Sequence, residues 1–88
     1  MGAVTLTDDQ LIGTVEEIIR KVTRDPQAAV WPDRASQGRI GFVAVSTGFE
    51  KMTQVERQEK LFAAMKRKLG ADMARIGMIF ARTPAEIK

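Results

Sequence analysis

The sequence of 88 residues predicts a single α+β domain, in which two helices pack on one face of a three-stranded mixed sheet. Two apolar stripes at helical spacing, each opened by a capping box, alternate with short apolar runs typical of strands. The predicted order is helix, strand, strand, helix, strand and helix start, or αββαβ(α). A short loop joins the first two strands, which should pair antiparallel, whereas the third strand follows a long helix and needs a crossover. We expect residues 1–6 to form a flexible N-terminus and residues 7–88 to form the domain.

The first helix is the most clearly marked element. Residues 7–10 fit a capping box, in which Thr7 accepts a backbone N–H and the Gln10 side chain reaches back. The helix should end near Arg24, because Pro26 disfavours helical geometry in the residue before it. Its apolar stripe contains Leu11, Ile12, Val15, Ile18, Ile19 and Val22.

Three apolar runs predict the strands. The first spans residues 27–31 and is ended by Pro32, the second spans residues 39–46, and the third spans residues 75–81. Both faces of the second run are apolar, which favours a strand covered by helices on one side and partly covered on the other. The polar loop 33–38 joins the first two strands.

A second capping box at residues 53–56 opens the second helix, and Gly70 follows its end. We expect its buried stripe to contain Val55, Leu61, Phe62, Met65 and Leu69. We expect its solvent-facing side to carry Glu56, Arg57, Lys60, Arg67 and Lys68. Residues 83–86 form a third capping box with Pro84 at the first helical position, so a final helix should begin there.

The composition excludes several classes of function. The chain contains no Cys, His or Tyr, and therefore has no thiolate nucleophile, no imidazole base and no Cys-ligated metal centre of its own. No apolar run approaches the roughly 18–20 residues of a membrane span, and the first residues show no secretory signal. We therefore expect a cytoplasmic, non-catalytic protein with no cofactor, no small-molecule substrate and no membrane partner.

Residues 39–86 resemble the BolA family in the order and spacing of their motifs. The residues that carry the resemblance are Phe42-Val43-Ala44-Val45-Ser46, Phe49, Val55-Glu56-Arg57-Gln58, Leu61-Phe62, Leu69 and Thr83-Pro84-Ala85-Glu86. The resemblance implies an αββαβα fold similar to a class II KH domain, and the role of an adaptor. Some BolA-like proteins bind monothiol glutaredoxins and share a [2Fe–2S] cluster, for which a His at the start of the third strand is one ligand. Others are implicated in DNA binding and transcriptional control.

This chain departs from the family at its ligand positions. The His of the third strand falls on Ala74 or Arg75, the His before the second strand falls on Arg39, and the His after the helix Arg falls on Gln58. The loop that often supplies a second ligand offers only Asp33, Arg34 and Ser36. A guanidinium does not coordinate iron but does hydrogen-bond phosphate. We therefore predict that this molecule recognises a partner rather than holding the cluster.

The first functional hypothesis is nucleic-acid binding, DNA or RNA, in transcriptional regulation. Residues 51–88 carry 9 basic and 4 acidic residues, a net charge of +5, against −2 for residues 1–50. A basic surface of this kind is typical of proteins that contact phosphates, although a solvated helix face explains it equally simply. The residues assigned to phosphate contact are Arg39, Arg57, Lys60, Arg67, Lys68 and Arg75.

The second hypothesis is docking on a monothiol glutaredoxin through Arg75, Ile76 and Arg82, in iron–sulfur homeostasis. A third is an assembly module without a small ligand. Trp31 is either a partner anchor or a strand residue packed on the sheet. Residues 38–41 spell the GxxG of a KH phosphate clamp, but they run into a strand, which favours a hairpin loop.

Overall fold

The computed structural model describes residues 6–34 and 38–87, and it confirms the predicted α+β class and element order. The regular elements are α1 (Asp8–Thr23), β1 (Ala29–Asp33), β2 (Ile40–Val45), α2 (Gln54–Leu69) and β3 (Ile76–Arg82). Short 3-10 turns occupy Thr47–Phe49, Gly70–Arg75 and Pro84–Ile87. Among the described residues, neither helix has the length and apolar content that crossing a bilayer requires.

The sheet has the strand order β1-β2-β3, with β2 in the centre. β1 pairs antiparallel with β2, and β3 pairs parallel with β2 through the α2 crossover, as predicted. In the middle of the sheet Trp31 lies opposite Val43, and Val43 lies opposite Phe80. The register of β2 and β3 shifts between Ile40 and Phe42, so one extra residue of β3 bulges there.

The first strand differs most from the prediction. β1 begins at Ala29 and continues through Pro32 to Asp33, rather than ending at Pro32. A proline is tolerated here because β1 is an edge strand, and the missing N–H removes no bond of the ladder when it faces away from the neighbouring strand. The other two strands each differ from the predicted limits by one residue at both ends, and Arg75 belongs to the preceding 3-10 turn.

The capping boxes predicted for the two long helices are both present. The Thr7 hydroxyl accepts from the Gln10 backbone at 3.1 Å, and the Gln10 side chain accepts from the Thr7 backbone at 3.0 Å. Thr53 and Glu56 make the same pair at 3.1 and 2.8 Å at the start of α2. These bonds satisfy backbone donors that the first turn of a helix leaves without partners. α1 ends at Thr23, and the C-cap residue Arg24 has a left-handed φ of 55°.

The core lies between the two helices and one face of the sheet. Its largest fully buried side chains are Leu11, Val15, Ile19, Phe42, Phe49, Leu61 and Met65. Val55 was predicted to belong to it, but 65% of its surface is exposed. At about 100° per residue, the face that holds Leu61 and Met65 continues backwards to Arg57, and Val55 points to another side. The buried stripe of α2 therefore contains an arginine in place of the valine.

Gly48 makes the closest approach between the 3-10 turn and the end of α1. A Cβ on Gly48 would lie 2.3 Å from the backbone oxygen of Thr23 and 2.6 Å from its Cβ. Thr23 has little freedom to move, because its hydroxyl donates to the Ile19 carbonyl at 2.7 Å and its side chain is buried. This contact requires a glycine at position 48.

We expect Gly48→Ala to lower the free energy of unfolding by about 1–3 kcal/mol, the usual cost of forcing extra volume into a packed site. Gly13→Ala is the matched control, because no atom beyond its chain neighbours and the nearby backbone of its own helix lies within 4 Å of a Cβ at that position. The control should raise the stability by up to about 1 kcal/mol through helix propensity. Urea unfolding followed by circular dichroism measures both, and equal stabilities for the two variants would contradict the packing argument.

Candidate functional site

Arg57 was predicted to contact phosphates from the exposed side of α2, and this placement is wrong. Only 4% of its surface is exposed. Its Nη1 donates to the Ala81 carbonyl at 3.0 Å, and its Nη2 donates to the Phe49 carbonyl at 2.9 Å. Its Nε also donates to the Met52 carbonyl at 3.2 Å. Arg57 is therefore a structural residue that joins α2 to the preceding turn and to β3.

A carboxylate completes the surroundings of Arg57. Glu86 accepts from its Nη1 at 2.8 Å and from its Nη2 at 3.2 Å, the bidentate arrangement that suits a guanidinium. The hydrogen bond from Arg57, followed by that from the Thr83 backbone, lowers the pKa of Glu86 to about 2. One bond of the third predicted capping box is present, because the Thr83 backbone N–H donates to the Glu86 side chain at 2.9 Å. The element that begins there is a 3-10 turn, Pro84–Ile87, rather than the predicted α-helix.

Arg75 is also held by internal contacts. Its Nη2 lies 2.7 Å from Asp8 Oδ1, and its Nη1 lies 3.0 Å from Asp72 Oδ1. Hydrogen bonding to Asp72, and secondly to Asp8, raises the pKa of the guanidinium above its ordinary value. Nη1 also donates to the carbonyl of Leu6. Arg75 therefore joins the start of the described chain to the turn that leads into β3, and both of its Nη atoms already donate to internal acceptors.

The predicted flexible segment 1–6 falls, for residues 1–5, outside the described residues. Leu6 itself packs against the core, and its N–H donates to Asp72 at 3.3 Å. Asp72 is only 5% exposed, so its carboxylate depends on Leu6 and Arg75 for hydrogen bonds. Asp8 is shared with a second guanidinium, that of Arg34, at 2.8 Å.

The structure separates the three residues assigned to partner binding. Arg75 is engaged as described, and Ile76 is 7% exposed and packs in the core. Arg82 lies on the face of the sheet opposite the helices, with its guanidinium carbon 5.8 Å from the centre of the Phe80 ring. Of this set, Arg82 is the residue whose side chain lies on the face of the sheet away from the core.

Three of the assigned cations remain exposed along α2: Lys60, Arg67 and Lys68. Within residues 6–34 and 38–87, none of them has a carboxylate oxygen within 4 Å. Arg67 and Lys68 line a groove of about 380 Å³ between α1 and α2, together with Lys21. We call this feature the basic groove; its remaining lining residues are Thr14, Glu17, Ile18, Val22 and Ala64.

The other assigned cation, Arg39, lies elsewhere. Because Ile40 points into the core, its exposed neighbour Arg39 points to the opposite side of β2. The Cβ of Arg39 lies 3.6 Å from the position that a Cβ on Gly77 would occupy. The side chains of Trp31, Val43 and Phe80 share that side, which we call the open sheet face. Trp31 is 52% exposed and therefore does not pack as a buried strand residue.

The GxxG motif at residues 38–41 belongs to the hairpin. Gly41 lies inside β2 opposite Asp33, and a Cβ on it would lie 3.0 Å from the Met78 carbonyl oxygen. The second glycine is therefore required by close packing of neighbouring strands. This arrangement supports the hairpin interpretation rather than a phosphate clamp between two helices.

Comparisons with known proteins identify the architecture. No protein-family model and no curated protein matches the sequence. Among solved structures, BolA1 from Arabidopsis thaliana matches with a TM-score of 0.59 and 18% identity, over 85% of this chain and 93% of that chain. The chain has the BolA fold. A Bol-like protein from Babesia bovis matches at TM-score 0.56 and 22% identity, over 98% and 93% of the two chains. The BolA domain of SufE1 from Arabidopsis thaliana matches at 0.59 and 18%, over 93% and 99%.

On this BolA fold, the residues at the expected ligand positions do not fit an iron–sulfur cluster. Such clusters are held by thiolates and, at some irons, by imidazoles, and these 88 residues contain no Cys or His. The guanidinium of Arg75 is bound to two carboxylates, and Ala74 has only a methyl group. Within the part of the chain that the structure describes, no group of three or more Asp or Glu side chains is arranged to hold a metal ion.

We expect Arg57→Ala to lower the free energy of unfolding by about 3–5 kcal/mol. The substitution leaves the buried carbonyl groups of Phe49 and Ala81 without their donors, and each unsatisfied buried group costs about 1–3 kcal/mol. Arg67→Ala on the exposed side of the same helix is the matched control and should change stability by about 0.5 kcal/mol or less. Denaturant unfolding measures both variants. Similar losses in the two would contradict the role assigned to Arg57.

We expect acid to weaken the fold partly through Glu86. Its pKa is lowered to about 2 from an ordinary value of 4.5, so its contribution to stability is complete above pH 4.5 and is lost as the pH falls towards 2. Glu86→Gln should therefore show a flatter loss of stability between pH 5 and about pH 2 than the parent protein. Thermal unfolding across this range tests the expectation, and parallel curves for the two proteins would contradict it.

Proposed function

We propose that this chain is a non-catalytic member of the BolA family that acts in regulation by binding nucleic acid through the basic groove. Two independent features support the family assignment. The motif order from Phe42 to Glu86 resembles the family, and the three-dimensional fold is that of BolA-like structures. The buried Arg57 and its partner Glu86 belong to those motifs, which ties the sequence pattern to the packing.

The ionisable groups support a binding role rather than catalysis. The pKa values of Glu56 and Glu86 are lowered from their ordinary values, and the pKa of Arg75 is raised. Glu56 caps a helix, and the other two are engaged in internal ion pairs, so each shift has a structural cause. Catalytic groups are recognised by perturbed pKa values in a cleft with a free reactive atom. None of these three has that setting.

The observation that carries the proposal is the set of cations at the basic groove. Lys21, Arg67 and Lys68 project from two neighbouring helices, while Glu17 supplies the acidic side chain among the lining residues. Their guanidinium and ammonium donors have no close carboxylate partner among the described residues, in contrast to Arg57 and Arg75. Phosphates provide the negative charge and the acceptor oxygens that such donors bind.

The glutaredoxin alternative receives less support from the placement of its residues. The Arg75 guanidinium already donates to Asp8, Asp72 and Leu6, and Ile76 is buried. The proposal of nucleic-acid binding retains Arg67 and Lys68 at the basic groove and Lys60 as an exposed cation on the same helix, whereas Arg39 is exposed on the open sheet face.

We expect the protein to bind duplex DNA weakly and with strong salt dependence. Removing one phosphate contact with Lys68→Gln should reduce the slope of log affinity against log salt by about 0.9. Lys51→Gln removes the same charge from the exposed turn before α2, about 24 Å away along the helix, and should leave the slope unchanged. Fluorescence anisotropy with a labelled duplex measures these slopes. Absence of binding by the parent protein at low ionic strength would refute the proposal.

A further inference from the structure

We propose that the open sheet face stacks the unpaired bases of a single-stranded nucleic acid, with Trp31 and Phe80 as the stacking surfaces. The inference rests on the proposed function in taking nucleic acid as the ligand. It adds a second binding site on the open sheet face and a preference for single-stranded over duplex nucleic acid. The basic groove lies between the helices, on the opposite side of the sheet, so the two sites are separable by mutation.

The strand register places the aromatic side chains in one row. Trp31 on β1 lies opposite Val43 on β2, which lies opposite Phe80 on β3. Because neighbouring strands are about 4.8 Å apart, the two aromatic residues are separated by roughly 10 Å, with the smaller Val43 between them. This spacing leaves room for a base against each ring.

The row is open to solvent. Trp31 is 52% exposed and Phe80 is 41% exposed, and the adjacent Met78 is 67% exposed. Both helices pack on the other face of the sheet, where the core residues lie. Exposed apolar side chains that are contiguous on a small domain indicate a binding surface, because scattered single residues would need no explanation.

The charges beside the row favour a nucleic acid as its occupant. Arg82 follows Phe80 by two residues on β3, and its guanidinium carbon lies 5.8 Å from the centre of the Phe80 ring. Arg39 lies immediately before β2 and points to the same face of the sheet. Among the described strand residues that point to this face, Asp33 is the single acidic residue. Cations interleaved with exposed aromatic rings are the combination that single-strand-binding surfaces use.

The edges of the sheet make strand addition by a protein partner less favourable. On β3 the outward carbonyls of Ile79 and Ala81 already accept hydrogen bonds from Gln58 at 2.8 Å and from Arg57 at 3.0 Å. β1 carries Pro32, which has no N–H to donate. A ligand is therefore directed to the face of the sheet rather than to its edges.

The flat rings select single strands over duplexes. In a duplex each base already stacks on its neighbours, so its π-face is not available to a side chain. An unpaired strand offers base faces to both rings, and its phosphates can be reached by Arg39 and Arg82. Discrimination by base sequence is expected to be weak, because every base has such a face.

The fluorescence of Trp31 measures stacking directly, because Trp31 is the single tryptophan of the chain. A thymidine oligonucleotide roughly 12 nucleotides long, within the usual site sizes for such surfaces, should quench its fluorescence on stacking. Phe80→Leu should weaken the affinity about five-fold or more, the effect of losing one base–aromatic stack. Phe62→Leu on the helical side is the matched control and should bind as the parent protein does. Circular dichroism melting of both variants verifies that each is folded.

The outcomes separate this inference from the proposed function. Binding of the oligonucleotide without quenching, or equal losses in Phe80→Leu and Phe62→Leu, would overturn the stacking site while leaving the Lys68→Gln test on duplex DNA intact. Tryptophan emission that shifts with protein concentration alone, together with a dimer in sedimentation, would also overturn it by showing that a second copy covers the face. Failure to bind either duplex or single strand would refute both proposals.

Discussion

The packing of the second half of the molecule depends on one buried cation. Arg57 lies where an apolar residue would complete the stripe of α2, and it donates to the carbonyls of Phe49 and Ala81 and to the carboxylate of Glu86. A buried charge is tolerated only when its donors are fully used, and the described residues leave no buried side-chain polar atom without a partner. The turn before α2, the end of β3 and the final 3-10 turn are thereby fixed to one side chain. The cation–π contact with Phe49 at 5.6 Å adds to this arrangement.

A second arginine has the same kind of role at the other end of β3. Arg75 joins Asp8 at the start of α1 to Asp72 in the turn before the strand. In the BolA family that the sequence resembles, a His ligand is expected at the position that Arg75 or Ala74 occupies in this chain. The guanidinium contributes to tertiary structure there, and it carries a permanent charge that is compensated internally. The cations left for recognition are consequently those without internal partners.

The cations without a close carboxylate partner among the described residues and the exposed aromatic residues lie on two sides of the molecule. Lys21, Arg67 and Lys68 line the groove between the helices, and Arg39 and Arg82 accompany Trp31 on the open sheet face. The first surface is suited to phosphates alone, whereas the second combines charge with flat apolar rings. The chain, whose net charge is +3, thus has two chemically different surfaces that carry cations.

The sequence by itself determined the features that depend on neighbours along the chain. Thr7 and Thr53 begin helices because capping boxes are local, and the order of the strands follows from short runs and connection lengths. Tertiary structure alone decided the rest. Whether Arg57 is buried depends on carbonyls contributed by two other elements, and the alignment of Trp31 and Phe80 in one row depends on the register of three strands. Local pattern carries no information about residues 24 or 49 positions away, because only folding brings Arg57 within bonding distance of Ala81 and places Trp31 and Phe80 on one face of the sheet.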